Sequence, residues 1–109
     1  MSRQEGFYYM QYTIEEIKTK LTPIFEEKGV TRAILFGSYA KGEATEESDV
    51  DIAAYVNDEM SILDFCEIAD DVINGLGKEV DFLYANDIVP GGRIDLALQK
   101  DGVLIYVKA

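Results

Sequence analysis

Asp49 and Asp51 flank one valine at the head of an apolar run, Val50 to Val56, and they follow Gly37-Ser38 after ten intervening residues. In a strand, residues i and i+2 share a face and lie about 6.6 Å apart. Both carboxylates are therefore expected side by side at one end of a strand. Two such ions repel each other unless a cation lies between them. Mg2+ suits that place, since it takes oxygen ligands and is held by one or two carboxylates together with substrate phosphates. Gly37-Ser38 closes a second apolar run, Ala33-Ile34-Leu35-Phe36. A glycine lets backbone come close to a ligand, and a short helix starting there would turn free amides towards a phosphate. Each half alone is ordinary: Gly-Ser is a common turn, and Asp-x-Asp in an acidic chain is commonly surface. The two at this spacing, against an otherwise apolar strand, point to a divalent-metal and phosphate site. It is not a Walker A loop, because GxxxxGK[ST] is absent from the sequence. Lys41 either meets phosphate or lies in solvent.

Gly37-Ser38, ten residues and then Asp49-x-Asp51 resembles the signature of the DNA polymerase beta-like nucleotidyltransferases. The likeness runs over residues 13–108, and the short chain is similar to the minimal nucleotidyltransferases (MNT proteins). These are encoded beside HEPN-domain partners in prokaryotic toxin–antitoxin pairs. The resemblance implies an α/β fold, a mixed sheet of about four strands with helices packed on it. It also implies an Mg2+-dependent enzyme that moves AMP from ATP onto a protein, a tyrosine of a HEPN ribonuclease toxin, and so acts as antitoxin. Gly37 and Ser38 would contact the β,γ-phosphates. Asp49 and Asp51 would bridge two Mg2+ ions, with Asp81 as a third carboxylate on the neighbouring strand. In that role Asp81 binds the catalytic metal and acts as base towards, or at least orients, the attacking hydroxyl. Without the resemblance, Asp81 between Val80 and Phe82 reads as a strand residue of unfavourable type, a charge that guards an edge. ATP itself comes from the resemblance, as no residue here reads adenine. A rival reading is a non-catalytic antitoxin that neutralises its partner by occlusion. A third is a small-molecule nucleotidyltransferase, although little chain remains to build an acceptor pocket.

Composition narrows the classes. The chain has no histidine and one cysteine, Cys66. That excludes Ser-His-Asp and Cys-His triads, HExxH zinc sites and an internal disulfide. A net charge of −11, with Arg3, Arg32 and Arg93 as the only arginines, argues against nucleic acid as the main partner and favours a basic protein. No apolar run approaches the roughly 18–20 residues of a membrane span, and the N-terminus lacks the apolar core of a secretory signal. A cytoplasmic chain is expected. Association with itself or with a partner stays open.

The elements that must position these residues are legible as patterns. Residues 1–12 form an N-terminal segment whose Phe7, Tyr8, Tyr9 and Tyr12 either pack over the core or form an exposed patch. Residues 13–109 are expected to be a single domain. Thr13 and Glu16 read as a capping box opening a helix with apolar Ile14, Ile17, Leu21, Ile24 and Phe25, ended by Gly29 and kinked or split near Leu21 by Pro23. Val30 to Phe36 and Val50 to Val56 are strands. Ser61 caps a second helix whose stripe is Ile62, Phe65, Cys66, Ala69, Val72 and Ile73, with Gly75 at its end and Cys66 as a small core residue. Lys78 to Tyr84 alternates as a third strand, Arg93, Ile94, Ala97 and Leu98 mark a short helix with Lys100 in its last turn and Gly102 after it, and Val103 to Val107 is the last strand.

Overall fold

Thr13 closes the first turn of helix α1 (Ile14–Lys28) as the pattern predicts: its hydroxyl accepts from the Glu16 amide, and the Glu16 carboxylate accepts from the Thr13 amide. The computed structural model describes residues 11–109. Gly29 ends α1 in the left-handed region. Pro23 does not split the helix, contrary to one expectation. Ile17, Leu21 and Phe25 lie on both sides of it and are fully buried. Burying each contributes roughly 1.5–3 kcal/mol, which together outweighs the cost of about 3 kcal/mol for an internal proline.

Strand β1 (Val30–Phe36) leads into the short helix α2 (Gly37–Lys41), and strand β2 (Val50–Val56) follows. Helix α3 (Ile62–Leu76) precedes strand β3 (Val80–Tyr84), and helix α4 (Arg93–Asp101) precedes strand β4 (Val103–Val107). The four strands among the described residues form one mixed sheet in the order β3-β2-β1-β4. β1 runs antiparallel to both β2 and β4, while β2 and β3 are parallel. The expected mixed α/β architecture is therefore present.

Alternation along the strands separates two faces. Ile52, Ala54 and Phe82 turn to the side packed by Phe25 of α1 and by Phe65, Ile68 and Val72 of α3. Ala53 and Tyr55 turn to the other side, beneath Leu98 of α4. The two large helices also pack on each other. A methyl group at Gly75 would come within 3.1 Å of Ile24 Cδ1, so the glycine serves their close approach.

Three details of α3 differ from the pattern reading. The helix continues through Gly75 to a left-handed cap at Gly77. Cys66 is exposed rather than a core residue, and Ile62 is 78% exposed. At about 100° per residue, the face centred on Phe65, Val72 and Leu76 leaves Cys66 a quarter-turn away. Finally, β3 starts at Val80, so Lys78 and Glu79 precede the strand. Phe7, Tyr8 and Tyr9 lie outside the described residues. Tyr12 is buried, and its hydroxyl donates to the Leu76 carbonyl.

Candidate active site

The site gathers where β1 ends and β2 and β3 begin. Phe36 pairs with Asp51 across the antiparallel ladder, which brings the β1–α2 junction over the head of β2. Gly37 has φ +71°, a left-handed conformation that favours glycine. A methyl group there would sit 3.0 Å from Asp51 Cγ and closer still to Oδ2, so the missing side chain makes room for the carboxylate. Helix α2 has no side-chain cap at its N-terminus, and buried Tyr39 anchors it to the core. Lys41, in the last turn of α2, is exposed.

Asp51 and Asp81 stand opposite each other on the parallel strands. Both share the sheet face of Ala53 and Tyr55, the side covered by α4. Their carboxyl groups approach closely enough to share a hydrogen bond. Burial, then the Asp81 charge and that hydrogen bond, then Asp49, push the Asp51 carboxyl up to about 6. Asp49 precedes β2 by one residue and is exposed. The five residues expected at the site thus fall around one sheet end, with Asp51 and Asp81 in direct apposition beside Gly37 and Asp49 within electrostatic reach.

Among the described residues, no group of three or more His, Cys, Asp or Glu is gathered tightly enough to make a complete metal cage. The donor chemistry still fits Mg2+. All candidate ligands are carboxylate oxygens, two of them face each other, and Mg2+ keeps waters and phosphate oxygens in its remaining positions. Burial first and then the Asp81 charge raise the Asp51 carboxyl, a shortage of solvation and of opposite charge that a bound cation would relieve.

That shortage gives a stability prediction. A carboxyl raised above its unfolded value stabilises the fold at low pH, and this contribution is lost as pH rises through about 6. In EDTA, Asp51→Asn is expected to flatten the fall in Tm between pH 5 and 7.5. At pH 7.5 it should raise stability by about 1 to 2 kcal/mol once solvent screening is allowed for, several degrees for a domain this size. A Tm for Asp51→Asn equal to or below wild type across that range would count against the crowded-carboxylate picture.

Sequence reasoning missed Lys78, which it placed in an alternating strand without a role. The side chain is 2% exposed, and Nζ donates to the Glu46 carbonyl at 2.8 Å. Burial pushes its pKa down, while Asp49 and Glu46 pull it back up. Nothing local in the sequence marks it, because the carbonyl to which it donates lies 32 residues earlier in the chain.

Residues 19–109 match the family described as polymerase beta, nucleotidyltransferase, and the chain belongs to it. A relative from Methanocaldococcus jannaschii, whose name proposes protein adenylyltransferase activity, is 46% identical over 84% of this chain and 90% of its own. The protein adenylyltransferase MntA of Thermococcus cleftensis is 37% identical over 72% of this chain and 84% of its own. The fold is also similar to that of a chain in the solved structure of the tri-AMPylated Shewanella oneidensis HEPN toxin in complex with MNT antitoxin. There the TM-score is 0.66 at 18% identity, over 87% of this chain and 73% of the matched one. No helix among the described residues is long and apolar enough to cross a membrane.

Proposed function

We propose that this chain is a protein adenylyltransferase that moves AMP from ATP onto a tyrosine of a HEPN-domain toxin and thereby acts as its antitoxin. The apposition of Asp51 and Asp81 beside Gly37 carries the proposal. Family membership supplies the reaction class, and the named relatives support the acceptor. ATP and Mg2+ supply set the reaction in the cytoplasm.

In the reaction, the acceptor oxygen bonds to the α-phosphorus. The bond from that phosphorus to the bridging oxygen breaks, and pyrophosphate leaves. Asp49, Asp51 and Asp81 would hold Mg2+, which when bound supplies positive charge to the entering oxygen, the phosphoryl oxygens and the leaving group. The amides of Gly37 and Ser38 orient the β,γ-phosphates. Asp81 is the exposed member of the facing pair. It is open to the incoming hydroxyl, accepts its proton and passes it to water. The protein mainly positions these groups and provides the field.

The test is label transfer with Mg2+, using ATP labelled at the α- or the γ-phosphate and the protein encoded beside this one as acceptor. Label from the α position alone is expected, on a tyrosine. No label from either position, despite a stable complex, would replace this reading with neutralisation by occlusion.

A further inference from the structure

We propose that Lys78 is a positioning residue for Asp49, holding the loop of residues 42–49 and its terminal carboxylate ready to take up the metal. The inference rests on the carboxylate site described above. Lys78 is the one buried charged side chain among the described residues. An ammonium taken out of water is costly unless partners replace its hydration, and the Glu46 carbonyl together with the charges of Asp49 and Glu46 are among those partners. Its location gives the charge a purpose. Val50 and Val80 are register partners in the parallel ladder, and the Val50 amide donates to the Glu79 carbonyl at 3.1 Å. Lys78 therefore enters β3 alongside the residues that enter β2, with Asp49 immediately before that strand.

The loop carries its own supports. Ser48 Oγ accepts from the Thr45 amide at 2.8 Å, and the Ser48 amide donates to the Thr45 carbonyl at 3.1 Å. From elsewhere in the chain, Gln11 Nε2 reaches the Ala44 carbonyl at 2.9 Å. Lys78 adds what these cannot, a cation beneath a loop that bears Glu43, Glu46, Glu47 and Asp49. Asp49 is among the charges that act on it. The ammonium thus restrains Asp49 through the loop backbone and through its field. It does not touch the reacting atoms.

The experiment measures Mn2+ binding by electron paramagnetic resonance in the presence of α,β-methylene-ATP. In the wild-type background, Asp49→Asn is expected to weaken Mn2+ binding about tenfold, the usual lower bound for disturbing a metal's ligand sphere. In the Lys78→Met background the same change should cost less than threefold, and in Lys78→Arg the tenfold cost should return. An equal cost in all backgrounds leaves Asp49 independent of Lys78 and overturns the inference while the metal site stands. Absence of Mn2+ binding by the wild-type protein overturns both. Because Lys78→Met could fail to fold, a second measurement uses the wild-type chain: the Lys78 15Nζ resonance should shift on Mg2+ titration, with the midpoint of metal binding. A resonance unmoved by saturating Mg2+ would falsify the assignment.

Discussion

The double variant Asp49→Asn, Asp51→Asn is expected to lose transfer of AMP by at least about a thousandfold while still binding its partner. Removing one preorganised electrostatic group from such a site costs about 10²–10³ in rate, and groups acting as one unit do not add their costs. Partner binding should survive because Asn keeps the volume and the strand register, and Asp49 is already exposed. Asp51→Asn also relieves the crowding that raises this carboxyl, so lost activity cannot be a folding defect if Tm rises. The measurement pairs α-label transfer with co-purification of the partner. A double variant that transfers normally would remove these residues from the chemistry. One that is inactive but still neutralises the partner in cells would make binding, not transfer, the antitoxin principle.

Gly37→Ala is the second large effect, and Gly42→Ala is its control. Both glycines have left-handed backbone, φ +71° and +75°, so alanine should cost each about 1–2 kcal/mol of stability. Their surroundings differ. Around Gly42 nothing lies within 4 Å of an added methyl group, whereas at Gly37 that methyl overlaps the Asp51 carboxylate. Displacing a reacting group by about 1 Å costs on the order of 10²-fold in rate. Gly37→Ala should therefore lower transfer about a hundredfold, while Gly42→Ala loses similar stability and keeps its rate. Equal rates for the two variants would show that Gly37 matters only for its backbone.

Much of this arrangement was written in local pattern. The capping box at Thr13, the strands leading to Gly37 and from Asp49, and the lone Asp81 among strand formers are visible because each depends on neighbours in sequence. What escaped depends on tertiary packing. Cys66 belongs to an apolar stripe by composition, but the helix phase is set by which residues meet β3 and α1. Pro23 carries a strong breaking signal that a buried face overrides. The i, i+2 reading paired Asp49 with Asp51, yet the closest partner of Asp51 is Asp81, 30 residues later and fixed only by the parallel register. Lys78 gives no signal, since the carbonyl to which it donates lies 32 residues earlier.

The strand order carries a consequence for how such a protein chooses its target. Among the described residues β3 is an outermost strand of the sheet, so on the proposed assignment Asp81 stands on its rim. On that assignment an acceptor docked at this rim would itself form a wall of the site. Selectivity would then be a matter of who docks, with the partner lending its own surface to the pocket in which it is modified.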